Sequence, residues 1–413
     1  MKMNQLAPSQ GQRIKFAIIL GCLATIGPLS IDMYLPAFPN IAGELQTSAS
    51  LVQLSLTFFV LGLSLGQLIV GPFSDAQGRR KPLLIGLTIY GAVSLLCAFS
   101  PSVWTLIALR FVQGLAGSAG IVISRAIVRD LYSGSELTKF FSLLMLVNGI
   151  GPIAAPILGG QLLKFTSWQG VFLVLGFVGI VLLLTVLFGL KETLPKERRA
   201  TGGVGQTLTT FRNLLKDRVF MGYAISQGLV FAAMFAYISG SSFVFQNVYG
   251  VTPQMYSLIF ALNGLGIIIA TQTTGRLAGR IGEAKLLVSG LRLSAFGGIV
   301  LLVMILTGAP IAAVLPPLFI VVSSVGIVNT SGFSLAMQSQ GKSAGSAAAL
   351  LGVTSFIIGG FVAPIVGLGG SHTAIPMGIV IACASVCSLV TYRFLVQSRR
   401  KQAALNPPSS VGH

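Results

Sequence analysis

Asp32 is the residue of this chain best suited to bind and release a proton. It lies in the stretch 30–39, which reads SIDMYLPAFP, and it is the one acid deep inside an apolar run. A charge in hydrocarbon is costly, but a carboxyl group can bind a proton and become neutral. The position therefore predicts a proton-coupling group, with a satisfied, purely structural acid as the alternative.

Arg110 is the second in-span charge of the first half and lies in LRFVQGLAG at 109–117. At 1.5 Å per helical residue, Asp32 and Arg110 each fall roughly 5 to 10 Å below the outer membrane surface, so they can pair at one level. Desolvation would favour the neutral acid, and a nearby guanidinium would favour the carboxylate. The alternative for Arg110 is a side chain that snorkels to the headgroups.

These residues must be positioned by helices that cross a membrane. The chain has 413 residues, of which 54% are hydrophobic and 9% charged, and its mean hydropathy is +0.87. At roughly 20 apolar residues per span, the sequence divides into about twelve spans. We therefore predict an all-α polytopic membrane protein. It contains no HExxH or clustered acids of the kind that a membrane enzyme would need, and we expect no enzyme activity, cofactor or metal.

The distribution of charge explains the formal net charge of +18. When the first span leaves the cytoplasm, nearly all Lys and Arg residues fall at cytoplasmic ends or loops, and Lys164 falls on the other face. This asymmetry follows the positive-inside rule and predicts that both termini are cytoplasmic. The bilayer, and no nucleic acid, is thus the expected partner of the basic residues.

The chain also divides into two similar halves. A shift of about 204 residues lays GRLAGRIG at 275–282 on the stretch that begins at Gly71, which is a weak internal repeat of the kind known in transporters. The predicted boundaries are a cytoplasmic tail at 1–13, a six-helix bundle at 14–190, a linker at 191–217, a second bundle at 218–397 and a tail at 398–413.

The stretch 71–81, GPFSDAQGRRK, is the most specific pattern in the chain. Two glycines permit a tight turn, the acid can contact a helix N-terminus or an arginine, and the basic residues can lie at headgroups. The predicted gate residues are Gly71, Asp75, Gly78, Arg79 and Arg80. Arg125 and Arg129 are both candidates for the partner of Asp75, and the sequence does not choose between them.

The predicted fifth span contains NGIGPIAAPILGG at 148–160. Its small residues recur at steps of three and four, so that several share one face and allow close helix packing. The alternative is glycine-rich packing with no directional meaning for transport. The residues of this motif are Gly149, Gly151, Pro152, Pro156, Gly159 and Gly160.

The predicted spans of the second half contain no acid but carry aromatic and amide side chains. A broad apolar pocket with few polar groups suits varied amphiphilic substrates. Plain helix packing is the alternative for each residue. The candidates for a substrate pocket are Tyr34, Gln113 and Asn148 in the first half and Gln227, Phe231, Phe235, Tyr237 and Asn263 in the second.

Three stretches together resemble one family. The loop at 71–81 resembles the GxxxDxxGRR loop of the major facilitator superfamily, and 148–160 resembles its antiporter motif with three extra residues before the final glycines. The residues DMYLP at 32–36 resemble the bicyclomycin-resistance (Bcr/CflA) group. The resemblance implies twelve helices in two six-helix bundles related by pseudo-two-fold symmetry, in the inner membrane of a bacterium, and a monomer.

The resemblance also implies a function, which is export of drugs such as bicyclomycin, sulfonamides or phenicols, driven by the proton gradient through alternating access. The sequence departs from some relatives, which carry a second acid earlier on the first helix where this chain has Ala24, Thr25 and Ile26. The principal rival is proton-coupled export of a natural metabolite such as a sugar, an amino acid or a siderophore. Proton-coupled uptake is a further alternative, but it agrees less well with the motif at 148–160, which resembles that of exporters.

Overall fold

The computed structural model describes residues 10–132, 140, 150–199, 211–338, 340 and 344–398. Every regular element in these ranges is helical. Within them, ten helices are long and apolar enough to cross a membrane, and a bent helix pair at the start makes an eleventh span. A shorter apolar helix, α7 (Ile150–Leu162), covers part of the predicted fifth span, whose earlier residues lie outside the described ranges. The arrangement is consistent with twelve spans.

The first span is a broken helix. It comprises α1 (Gln10–Ala24), α2 (Ile26–Asp32), a 3₁₀ turn (Leu35–Ala37) and α3 (Phe38–Glu44), and the chain bends by 40° between Ala24 and Ile26. Pro28 explains the position of the bend, because a proline ring clashes with the carbonyl four residues earlier and leaves it without its N–H donor. Pro36 lies in the 3₁₀ turn.

Long helices make up the remaining spans. In the first half they are α4 (Ala49–Gln77), α5 (Arg80–Ala98), α6 (Val103–Leu131) and α8 (Trp168–Gly189). In the second half they are α9 (Arg218–Phe243), α10 (Pro253–Ile281), α11 (Glu283–Leu306), α12 (Ile311–Met337), α13 (Ala344–Gly367) and α14 (Ile375–Tyr392). Single π turns, Val244–Val248 and Arg393–Gln397, follow α9 and α14.

Polar side chains cap several of these helices. The hydroxyl of Ser102 accepts the N–H of Thr105 at the start of α6, and the carboxylate of Asp217 accepts the N–H groups of Val219 and Phe220 at the start of α9. Such caps satisfy amides that have no partner within the helix. Asp217 is thus the N-cap of α9, whose first residue is Arg218.

The described residues form two compact units. Unit 1 comprises Met1–Asn40 and Phe58–Thr201, and unit 2 comprises Ile41–Thr57 and Gly202–His413. The division after residue 201 falls inside the predicted linker. The start of α4 clusters with unit 2, where Gln53 Nε2 donates to the carbonyl of Ser239 at 3.0 Å and Thr57 Oγ1 donates to that of Gly360 at 2.8 Å.

The glycine motif of α7 packs against the first span. A Cβ added to Gly159 would lie 2.1 Å from the carbonyl oxygen of Met33, and one added to Gly151 would lie 3.2 Å from Cβ of Pro28. Only a glycine permits the first of these approaches, because the atom it meets belongs to the main chain. The contact adjoins Asp32 directly in sequence.

We expect Gly159→Ala to lower the thermal unfolding midpoint of the purified protein in detergent. The added methyl group must displace the main chain at Met33, and overpacking of this kind costs about 1–3 kcal/mol. Gly279→Ala in α10 is the matched control, since nothing lies within 4 Å of a Cβ at that position. Equal midpoints for the two variants would show that α7 does not approach the first span this closely.

Candidate functional site

Arg110 lies at the centre of the polar interior of unit 1. Its side chain, on α6, is fully buried, with 0% exposure. Nη1 donates to Oε1 of Gln113 at 2.6 Å, and Nη2 donates to the main-chain carbonyl of Ser30 at 2.9 Å. The alternative prediction, that Arg110 snorkels to the headgroups, is therefore wrong, because the guanidinium is buried and hydrogen-bonded inside the protein.

Aromatic rings surround the same guanidinium. Its central carbon lies 4.2 Å from the ring centre of Phe59, 4.7 Å from that of Tyr34 and 5.7 Å from that of Phe172. Cation–π attraction strengthens when the cation is desolvated. The predicted pocket residues Tyr34 and Gln113 are thus both contacts of Arg110.

A hydrogen-bonded network extends from Arg110 towards α5. Gln113 Nε2 donates to the hydroxyl of Ser94 at 2.7 Å, and the hydroxyls of Ser30 and Tyr90 lie 2.7 Å apart. The sequence analysis missed Ser30, Tyr90 and Ser94. For Tyr90 and Ser94, the four-residue spacing could have indicated a shared polar site, because it places both side chains on the same face of α5.

Asp32 is the last residue of α2, and its side chain is 5% exposed. The predicted pairing of Asp32 with Arg110 is not formed, because the ion pairs among the described residues both involve Arg79. The helical geometry gives the reason. Ser30 faces Arg110 and Tyr90, and a residue two positions further is rotated by about 200° around the helix axis. No hydrogen bond to a described residue reaches the Asp32 carboxylate.

Arg79 organises a second site, at the junction of α4 and α5. Its Nε donates to Oδ2 of Asp130 at 2.8 Å, and its Nη1 donates to the hydroxyl of Ser74 at 2.9 Å and forms an ion pair with Asp75. Burial lowers the pKa of Arg79, but the hydrogen bonds with Asp130 and Asp75 outweigh that effect and raise the pKa above its ordinary value.

This geometry corrects two predictions about the loop. Neither Arg125 nor Arg129 is the ionic partner of Asp75, because α4 continues to Gln77 and places Asp75 one turn before Arg79. Gly71 lies inside α4 and forms no turn. Gly78 does make the turn, with a φ of +94°.

Glu192, which follows α8, binds this junction. Its carboxylate accepts the main-chain N–H groups of Arg79 at 2.8 Å, Arg80 at 3.1 Å, Thr193 at 3.0 Å and Leu194 at 3.0 Å. Burial raises the pKa of Glu192, but these four hydrogen bonds outweigh burial and hold it below its ordinary value. The acid thus caps the start of α5.

Glu192 and Asp130 are residues that the sequence analysis missed. A visible signal was present for each, since Asp130 adjoins the candidate Arg129 and Glu192 is the first acid after the sixth predicted span. The side chain of Arg80 adds a further link by donating from Nη2 to the carbonyl of Leu187 at 2.7 Å. The end of α8 and the start of the linker are therefore attached to the loop between α4 and α5.

The candidate pocket residues of unit 2 form two groups. The ring of Tyr237 stacks on Phe260 at 5.3 Å, and Asn263 Nδ2 donates to the Tyr237 hydroxyl at 3.2 Å. The rings of Phe231 and Phe235 lie 5.0 Å apart.

Two atoms of these candidates bear on ligand binding. Oδ1 of Asn263 is buried and has no hydrogen-bond partner among the described residues. The amide of Gln227 packs on Gly332 of α12. Asn148 and Gly149 lie outside the described residues.

The long apolar helices, with the buried cation of Arg110 and the buried acid of Asp32 in unit 1, define a polytopic membrane protein. The chain belongs to the Major Facilitator Superfamily, whose family profile matches residues 20–364. The family predicted from the loop and helix motifs is confirmed.

Relatives support the assignment. An uncharacterized MFS-type transporter, YdgK of Bacillus subtilis, is 48% identical over 95% of this chain and 98% of its own length. A bicyclomycin resistance protein homolog of Haemophilus influenzae is 32% identical over 97% of this chain and 99% of its own length. The second relative agrees with the resemblance to the bicyclomycin-resistance group.

Solved structures show the same fold. A bacterial homolog of the human lysosomal transporter Spinster, in an inward-facing and occupied conformation, matches with a TM-score of 0.75 and 15% identity over 96% of this chain and 98% of its own. At this identity the likeness bears on the fold alone.

We expect Arg110→Lys to lower the thermal unfolding midpoint although it preserves the charge. A single ammonium group cannot reproduce the planar fork that bonds Ser30 and Gln113 together, and each buried polar group left without a partner costs about 1–3 kcal/mol. Arg125→Lys, on the same helix, is the matched control and should leave the midpoint unchanged. Equal effects of the two substitutions would contradict the assigned role of the guanidinium.

We expect the contribution of Glu192 to stability to depend on pH. Because its folded-state pKa is lowered, the contribution is present above the ordinary value of 4.5 and is lost as the pH falls below it through the folded-state value. The thermal midpoint of Glu192→Gln should therefore lie below that of wild type at pH 7 and approach it in acid. Glu197→Gln should match wild type throughout, and a midpoint difference for Glu192→Gln that is independent of pH would contradict the ionic cap.

Proposed function

We propose that this protein is a proton-coupled antiporter that exports small amphiphilic drugs of the bicyclomycin, sulfonamide or phenicol type, with Asp32 as the proton-coupling group. The observation that carries the proposal is the carboxyl group of Asp32, which is 5% exposed in a membrane transporter and has no ion pair among the described residues. Two residues earlier, the main-chain carbonyl of Ser30 accepts Nη2 of Arg110.

The chemistry of coupling follows from this burial. An acid without a cationic partner is stable when neutral and costly when charged, so access of water decides which form prevails. We propose that Asp32 takes a proton from the outside and releases it inside as hydration changes between the two states of an alternating-access cycle. The membrane potential supplies about 2.3 kcal/mol per charge for each 100 mV, which supports uphill export.

Arg110 would act by holding the segment that carries Asp32. Its Nη2 donates to the carbonyl of Ser30, two residues before the acid, at 2.9 Å. Because the guanidinium stays charged at all relevant pH values, this anchor does not change when Asp32 gains or loses a proton. We propose that Arg110 positions the acid and tunes the local field without forming an ion pair in the conformation described.

The substrate class rests on the candidate residues of unit 2 and on one relative. Stacked aromatic rings, together with an amide oxygen of Asn263 that has no partner among the described residues, form a largely apolar interior with few fixed polar contacts, as varied amphiphilic ligands require. The relative whose name refers to bicyclomycin resistance is 32% identical. These observations together favour drugs over ions as the cargo.

The remaining parts of the proposal concern control and placement. The cluster of Arg79, Asp75, Asp130 and Glu192 would act as the cytoplasmic latch, and the close contact of Gly159 with the first span would limit proton leakage beside Asp32. The charge asymmetry supports an inner-membrane protein with both termini cytoplasmic. We propose a monomer that uses the proton gradient and no cofactor.

A second candidate is proton-coupled export of a natural metabolite, such as a sugar, an amino acid or a siderophore. The same acid and the same fold would serve both functions, so only the substrate distinguishes them.

We expect Asp32→Asn to abolish substrate-induced proton release from the purified protein, since the amide cannot carry the exchanged proton. Release is measured in weakly buffered detergent solution as candidate drugs are added. In liposomes, exchange of labelled for unlabelled drug without a proton gradient should persist in the variant. Glu197→Gln should behave as wild type in both assays.

The outcomes separate the hypotheses. Equal proton release from wild type and Asp32→Asn would disprove the coupling role of Asp32. Release on addition of sugars, amino acids or siderophores, and not of drugs, would favour the metabolite exporter. Loss of both release and exchange in the variant would show that Asp32 is needed for substrate binding itself.

A further inference from the structure

A cavity of about 530 Å³ opens on the surface of unit 2, away from the residues assigned to transport. It lies between α11 and the end of α14 and is lined by Lys285, Ser289, Arg292, Tyr392 and Gln397, among others. The volume is within the range of roughly 300–1,000 Å³ typical of small-ligand sites. Two cations and three further polar side chains that can donate make it a basic cavity, and we call it the α11–α14 pocket.

The basic residues share one face of α11. Lys285, Ser289 and Arg292 are separated by four and three residues, and all three are exposed. Lys285 and Arg292 are about 10.5 Å apart along the helix axis. Two long side chains at this spacing can reach a single anion near Ser289 from both sides.

The acids in the second half of the chain are bonded to groups other than these cations. After residue 202 the sequence contains two acids, Asp217 and Glu283. Oδ1 of Asp217 accepts the N–H groups of Val219 and Phe220. Glu283 accepts the hydroxyl of Ser334 at 2.7 Å and Nε2 of Gln338 at 2.8 Å, both from the direction of α12. The described ion pairs involve neither Lys285 nor Arg292.

The surface around the pocket is apolar and exposed. Phe296, one turn beyond Arg292 on α11, is 61% exposed, and Phe394, beside Tyr392, is 72% exposed. In a membrane protein such side chains face lipid. Arg292 lies nine residues beyond the start of α11, or about 14 Å along the helix, and its long side chain can extend from there towards the headgroups.

We propose that the α11–α14 pocket binds the phosphate headgroup of an anionic phospholipid. The planar guanidinium of Arg292 can bond phosphate oxygens in pairs, Lys285 supplies a point charge, and Ser289 and Gln397 supply neutral donors. The charge asymmetry of the sequence places this end of α11 at the cytoplasmic leaflet, where basic pockets between helices bind such lipids. A free phosphate ion shares the chemistry of the headgroup but lacks the acyl chains that the apolar rim would contact.

The test measures phosphatidylglycerol bound to the intact purified protein, by native mass spectrometry in a neutral detergent, with phosphatidylcholine and inorganic phosphate as comparison ligands. We expect phosphatidylglycerol to bind more tightly than phosphatidylcholine. Each cation removed should weaken its binding about fivefold, so that K285Q/R292Q loses about 25-fold. The matched control R212Q/K216Q removes one Arg and one Lys from exposed positions outside the pocket and should retain wild-type affinity.

Two results would overturn the proposal. Equal affinity of K285Q/R292Q and R212Q/K216Q for phosphatidylglycerol would overturn the proposal, because the lipid would then respond to net charge alone. Binding of inorganic phosphate that depends on both residues, without preference for phosphatidylglycerol over phosphatidylcholine, would overturn the lipid assignment in favour of an ion site. Thermal midpoints in phosphatidylcholine establish that the variants fold. If the double variant does not fold, K285Q alone must show the fivefold loss.

Discussion

A guanidinium buried in an apolar interior needs polar and aromatic neighbours, and that requirement shapes unit 1. The guanidinium of Arg110 donates hydrogen bonds to a carbonyl of α2 and to the Gln113 amide of its own helix. It also lies against three aromatic rings that come from different parts of the chain. Because an unpaired buried charge costs several kcal/mol, these elements are constrained to meet at one place. The orientation of α2, and so of Asp32, depends on this meeting.

The two charged sites of unit 1 follow different physical rules. In the interior, Arg110 is stabilised by dipoles and rings, and Asp32, two residues beyond the bonded Ser30, has no ion pair with a described residue. At the junction of α4 and α5, which adjoins water, Arg79 is paired with two carboxylates. A fixed ion pair in the interior would hold a proton carrier in its charged form, whereas the ion pairs of the largely buried Arg79 hold the loop in place, because breaking them would leave a buried charge unpaired.

Close contacts between main chains locate the acid in a second way. Gly159 lies against the carbonyl of Met33, so the helix of the antiporter motif packs on the residue that follows Asp32. Because Gly159 has no side chain, the two main chains come so close that little room remains for water between them. In the second half of the chain, where an acid occurs in the described spans only at the first residue of α11, aromatic stacking and amide hydrogen bonds replace these charged contacts.

The sequence by itself determined the membrane class, the spans, the family and the presence of in-span charges at Asp32 and Arg110, because each depends on local composition or on a contiguous motif. It also located the turn at Gly78. Only the tertiary structure decided which groups meet. Arg79 with Asp130 and Glu192, and Arg110 with Ser30, join residues about 50 to 110 positions apart, and their meeting depends on the rotation of each helix about its axis. Successive residues of a helix are rotated by about 100° about its axis, so Asp32 can face away from Arg110 even where both lie at a similar predicted depth. A depth estimated from the sequence does not contain this rotation.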